Sequence, residues 1–260
     1  MSTDSIDKHR LWVTKDENSA ILFRDYQYLK LFLNVGVRNS LYETYKNQIE
    51  LDIPRSFPHS KWLKHPASID LIKRQLQIWC VYSPIGYFQG MLFILIPLCY
   101  RYQNLDHLSF FAFGKIIKLL RFVHKDIISV SQDERKDKKE VLHVLRVLYQ
   151  CCPVVQRYSQ DKLKQISLMI EYNIMFTLAL NRCGTTLENT DIILDFFLEV
   201  LYDKKKFTMR LKTFSFSFLL CLIKGNMNIL ELTGFELDRN ALKAITQSAL
   251  SSGTLFKAFS

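Results

Sequence analysis

Glycine and proline are scarce in this chain, 8 and 6 of 260 residues, against roughly 12% together in an average protein. These two residues make most sharp reversals and break helices. A chain that uses few of them has few turns and long elements between them. From about residue 19 onward apolar side chains recur at helical spacing, and no alternating pattern of useful length marks a half-buried strand. The fold class this implies is all-α. With 48% apolar and 23% charged residues, a chain of this length can bury a sizeable core as one large domain or two packed lobes.

The helical pattern can be placed in several stretches. Residues 66–83 carry Ile69, Ile72, Leu76 and Trp79 on one stripe, with Pro66 suited to the first turn. Residues 106–124 start at a capping candidate, Asp106, and carry Phe110, Phe113, Ile117 and Leu120. Further helices are predicted over 139–151, 159–182, 190–202, 207–224 and 238–250, with Thr190 and Asp238 as expected caps. The stretch from Ser129 to Lys138 is polar and densely charged, and reads as a loop between two helical lobes. The expected organisation is a polar N-terminal arm over residues 1–18 and one domain over 19–260. Its N-terminal lobe covers about 19–128 and its C-terminal lobe about 139–260.

Several function classes recede. The net charge is +10, which can draw a chain to nucleic acid, anionic membrane or an acidic protein. The charge is scattered, however, and its densest runs, Arg135–Lys139 and Lys204–Lys206, read as solvated helix ends and loops. Aromatic residues fall within apolar helical runs and not in basic patches, so nucleic-acid binding ranks last. The six cysteines form no C-x-x-C pair and the six histidines no H-x-x-x-H pair, which leaves no metal spacing. Cys80, Cys99 and Cys221 lie in apolar stretches and read as reduced, packed thiols. No hydrolase elbow, Walker A or G-x-G-x-x-G occurs. The first residues lack a signal-peptide core, and the longest apolar runs, Met91–Tyr100 and Phe214–Ile223, fall short of the ~20 residues that cross a bilayer. The expectation is a soluble, cytoplasmic protein whose membrane contact is peripheral or through a partner.

Two short segments carry chemistry. Ile49-Glu50-Leu51-Asp52-Ile53-Pro54-Arg55 has the form I-x-x-D-x-x-R, and Tyr87-Phe88-Gln89 the form Y-x-Q. Arg55 and Gln89 are 34 positions apart with room for a helix between them. Pro54 and Pro58 bracket Arg55, so its backbone is expected to be stiff and non-helical. Asp52 is near enough to orient the guanidinium by a charge-assisted bond, and Phe57 can anchor the segment in the core. Glycines at 86 and 90 give the second segment unusual backbone freedom. The Gln89 carboxamide both donates and accepts, which suits it to orienting a water. Taken singly, the first segment also fits a proline-rich connector and the second an ordinary helix–helix turn. Taken together, an arginine and a glutamine delivered from separate connectors can complete another enzyme's active site.

At this point the chain resembles the TBC-domain family of Rab GTPase-activating proteins. Arg55-Ser56-Phe57-Pro58-His59 is similar to the family's R-T-F-P-x-H segment, and Gly86-Tyr87-Phe88-Gln89-Gly90-Met91 to its G-Y-x-Q-G-M loop. Gly36-Val37-Arg38-Asn39-Ser40-Leu41 resembles a worn form of its opening G-I-P-x-x-x-R segment, and Asp191–Leu201 a helix that in the family carries W-D. The resemblance covers roughly residues 30–225. Departures stand at Arg38, Tyr42, Phe88, Leu92 and Leu194, and they bear on packing and partner fit more than on chemistry.

The resemblance implies an arginine finger, Arg55, and a glutamine finger, Gln89, offered in trans to a GTP-bound Rab-type GTPase. Asp52 would hold Arg55, Tyr87 would support the Gln89 loop and Ile49 would pack beneath the motif. Nucleotide and magnesium would belong to the partner, so no cofactor of the chain's own is expected. A TBC-like module that binds a Rab protein as a scaffold without catalysis is the alternative.

Overall fold

The computed structural model describes residues 19–34, 40–123, 139–170, 174, 177–183, 187–225 and 237–258. The regular elements among them are helical, as the scarcity of turn-formers predicts. The chain opens with α1 (Ser19–Asn34), α2 (Ser40–Ser56), α3 (Pro66–Tyr82), α4 (Leu92–Arg101) and α5 (Asp106–Val123). It continues with α6 (Lys139–Cys151), α7 (Gln160–Met169), α8 (Thr190–Leu198), α9 (Lys204–Lys224), α10 (Arg239–Ser251) and α11 (Gly253–Ala258). The N-terminal arm and the 129–138 boundary lie outside the described residues.

Helix-period stripes explain which faces go inward. On α1, Leu22 and Tyr26 are buried and Leu29 and Leu33 pack against the core. On α3, Pro66 occupies the first turn and Ile72, Leu76 and Trp79 are buried. Helix α4 has almost no polar face: Leu92, Ile94, Leu95, Ile96, Leu98 and Cys99 are all buried. It packs against α2, α3, α5 and α8, so it runs through the middle of the fold. Helix α9 plays the same part further along, packing against α5, α6, α10 and α11. Among the described residues no helix is long and apolar enough to cross a membrane.

Caps fix several helix starts. Asp238 accepts from the Ala241 N–H at 2.7 Å and opens α10 where the sequence predicts. Asp203 accepts from Lys206 N–H at 3.0 Å, so α9 starts at Lys204 and not near 207. Thr190 does not cap α8. It lies within the first turn, and its hydroxyl donates to the Leu187 carbonyl at 2.7 Å. Asp106 likewise sits inside the first turn of α5 and not ahead of it.

The largest departure concerns the predicted helix over 159–182. Helix α7 ends at Met169; among the described residues beyond it, Ile170 and Ile174 are π-helical and Leu180–Arg182 forms a short 3-10 turn. Leu178 and Ala179 hold φ of 54° and 58°, in the left-handed region that no right-handed helix can continue through. Both are fully buried. Apolar periodicity marks burial here, and tertiary packing decides the backbone.

Candidate functional site

The end of α2 and the connector between α3 and α4 build the site. The sequence predicts non-helical backbone at Arg55, and this is corrected: Pro54 lies inside α2 and Arg55 is in its last turn. A proline within a helix costs about 3 kcal/mol, because it forfeits a backbone hydrogen bond and crowds the preceding turn. Against this, Ile49 (0% exposed), Ile53 and Phe57 are buried in the same region, at about 1.5–3 kcal/mol each. Burial outweighs the proline, and the helix persists to Ser56. Phe57 then anchors the chain as expected, its ring edge-on to Phe93 at 5.7 Å.

Asp52 is the hub. It is buried, while the Arg55 side chain beside it is half in solvent. Its Oδ1 accepts from Arg55 Nε at 2.7 Å and from Arg55 Nη2. Its Oδ2 accepts from the Tyr87 hydroxyl at 2.7 Å. Gln48, one turn earlier on α2, donates its amide to both oxygens at 3.0 Å. Burial alone would raise the Asp52 pKa. The bonds from Tyr87, Gln48 and Arg55, with the Arg55 charge, outweigh burial and hold it below the usual carboxylate value. Burial, and then the bond to Asp52, push the Tyr87 phenol far up, so it stays a proton donor. Arg55 Nη1 makes no hydrogen bond among the described residues, so the guanidinium is held at one side and open at the other.

The second segment is held differently. Gly86 has φ +69°, and a Cβ added there would come within 2.9 Å of Tyr45 Cε2. Gly90 has φ +106°. Only glycine enters both conformations without strain. The Trp79 indole N–H donates to the Gly86 carbonyl at 2.9 Å and fixes the start of the loop. Met91 N–H donates to the Phe88 carbonyl at 3.2 Å and closes the turn around Gln89. Tyr87 is buried with its ring 6.2 Å from that of Tyr45. Gln89 itself is exposed and makes no side-chain hydrogen bond among the described residues.

Four of the five residues singled out in the sequence are thus brought together around α2: Ile49 buried below, Asp52 at the centre, Arg55 and Tyr87 on its two oxygens. Gln89 follows Tyr87 by two residues, at the tip of the turn. Sequence reasoning missed Gln48, Tyr45 and the bond by which Trp79, placed on the buried stripe of α3, also holds Gly86. Gln48 had a signal, its i, i+4 spacing to Asp52. Trp79 reaches forward beyond helical spacing and Tyr45 acts across elements, so neither left a periodic signal. Of the departures from the family pattern, Tyr42, Leu92 and Leu194 are buried and Phe88 is half-buried, so they are packing positions. Asp195, which follows Leu194, accepts from Arg101 at 2.5 Å and ties α8 to α4. Among the described residues no group of three or more metal-type side chains clusters.

A family model for the Rab-GTPase-TBC domain matches residues 25–230, most of the chain. The chain belongs to that family. It is also similar to TBC1 domain family member 17 of Mus musculus, 29% identical over 116 residues. That match spans 44% of this chain and 17% of the mouse protein's length. No solved structure matches.

Proposed function

We propose that this protein accelerates GTP hydrolysis on a Rab-type small GTPase, supplying Arg55 and Gln89 in trans. A GTPase alone is slow because its site lacks groups that stabilise transition-state charge and position the attacking water. Arg55 supplies the charge, spreading positive density over the transferred phosphoryl oxygens. Gln89 orients the water with a carboxamide that donates and accepts at once. Magnesium and nucleotide belong to the partner. An arginine finger contributes about 10³–10⁵ in rate, or roughly 4–7 kcal/mol of barrier. The action places the protein in vesicle trafficking, in the cytoplasm, reaching endomembranes through the GTP-bound partner.

One observation carries the reading. The Asp52 carboxylate bonds Arg55 through one oxygen and Tyr87 through the other, so a single buried anion joins the segments that bear Arg55 and Gln89. Both of those side chains are exposed. Preorganised charge is what phosphoryl transfer asks of a helper protein.

Single-turnover hydrolysis by a panel of GTP-loaded Rab proteins tests it. Acceleration by the parent, lost in an Arg55→Ala variant that is still cooperatively folded, is the expected result. Binding to GTP-loaded Rab without acceleration would instead identify a scaffold.

A further inference from the structure

Leu51 is the most exposed of the large hydrophobic side chains among the described residues, at 63%. It lies on α2 four residues before Arg55. Residues at that spacing share a helix face, with Cβ atoms about 5–6 Å apart. Pro54 on the same turns is exposed too. The buried side of the same turns is already filled by Ile49, Asp52 and Ile53. Leu51 therefore contributes nothing to the core, while standing one turn from the guanidinium.

We propose that Leu51 is a docking contact for the GTPase, seating against an apolar patch at the rim of that partner's nucleotide cleft. The inference rests on Arg55 acting as a finger. An arginine that enters a cleft brings its own helix face against the rim, so Leu51 loses its water in any complex that engages Arg55. A polar rim would lose its water against a side chain that offers no hydrogen bond, which is costly. The complementary surface is therefore apolar. Leucine carries no charge that could follow the charge shift of hydrolysis, so its contact is the same before and at the transition state. Such uniform binding changes the half-saturating concentration and leaves the limiting rate alone.

The test uses the full chain and a GTP-loaded Rab protein that the parent accelerates, varying the activator in single-turnover hydrolysis. Leu51→Ser is expected to raise the half-saturating concentration about tenfold to a hundredfold, the factor for losing one buried leucine contact. Its limiting rate and melting temperature stay at the parent's values, and Leu51→Met restores affinity. Arg55→Ala shows the opposite split, a collapsed limiting rate. Unchanged half-saturation in Leu51→Ser, with Arg55→Ala still inactive, overturns the docking contact alone. Full activity in Arg55→Ala overturns the finger and this inference with it. A parent dimer that Leu51→Ser dissociates would assign the face to a second copy of the chain and overturn the proposal as well.

Discussion

The Arg55 and Gln89 segments are held by opposite means. Arg55 stands on the last turn of a helix and is held by its side chain, through Nε and Nη2 on a buried carboxylate. Gln89 stands on a turn and is placed by its backbone, between two glycines of positive φ and under an indole clamp. The first design fixes a charge and leaves one edge of it open. The second fixes a backbone and leaves the amide free to turn. A group that stabilises charge profits from a fixed orientation, whereas one that holds a water must adjust to it.

The comparison breaks most sharply at the tips. Arg55→Ala is expected to lower the limiting rate of GTP hydrolysis about 10³-fold or more, in a protein that stays folded but is less stable, since buried Asp52 loses its bonds from Arg55 and keeps those from Tyr87 and Gln48. In the proposed roles Gln89→Ala loses the water's orientation while Arg55 keeps its charge in place, so measurable acceleration should remain. A larger loss in Gln89→Ala than in Arg55→Ala would reverse the roles assigned to the two segments.

Next comes the bond between the segments. Tyr87→Phe deletes the hydroxyl on Asp52 Oδ2, leaving Gln48 as that oxygen's remaining partner. A hydrogen bond to a charged group is worth about 1.5–3 kcal/mol, and denaturant unfolding should show a loss in that range. The limiting rate should fall less than in Arg55→Ala, because Arg55 keeps its own bond to Oδ1. If stability is unchanged, the two segments are not coupled through Asp52.

The backbone-held segment has its own weak point. Gly86→Ala forces a Cβ into a left-handed conformation, about 1–2 kcal/mol, and against Tyr45 at 2.9 Å. Gly90→Ala is strained by its own φ of +106° but meets only an ordinary 3.5 Å contact with Thr177 Cγ2. Thermal unfolding should therefore rank Gly86→Ala below Gly90→Ala. The reverse order would mean that backbone strain alone, and not the Tyr45 contact, governs the loop.

Much of this was legible in the sequence, and the failures have physical causes. The stripes on α3 and the boundaries of α6 could be read because one face of each helix is apolar and the other is not. Asp52 and Arg55 could be paired because three positions on a helix, or in a tight connector, bring them into reach. The state of Pro54 could not be read from local rules. They weigh a proline by its lost hydrogen bond and cannot see Ile49, Ile53 and Phe57 sinking into a core made by α3 and α4. The predicted run of helix to residue 182 failed for the same reason: Leu178 and Ala179 look helical by pattern, and buried packing holds them in the left-handed region. The Trp79 clamp reaches seven residues forward into the connector that follows its own helix, and the Tyr45 contact joins α2 to that connector, so neither has a periodic signature.

The smallest effect separates the two designs by pH. Asp52 titrates below its ordinary value of 3.8, because bonds from Tyr87, Gln48 and Arg55 outweigh the burial that opposes them. A carboxylate favoured in the folded state adds stability that is fully present above the unfolded value. That stability is lost as pH falls through the folded value, so the window lies below about 3.8. Glu50 and Asp203 are shifted the same way, chiefly by bonds to Lys73 and to the backbone of Lys206 respectively, so an acid slope in the parent alone does not identify Asp52. The difference between parent and Asp52→Asn does, because the other carboxylates cancel. Unfolding free energies measured between pH 5 and pH 2.5 should fall more steeply in the parent than in Asp52→Asn. Gly86→Ala should keep the parent's slope at lower overall stability, since the loop's backbone strain involves no titrating group. Parallel slopes in the parent and Asp52→Asn would remove Asp52 as the charged anchor of Arg55 and leave both segments held by backbone alone.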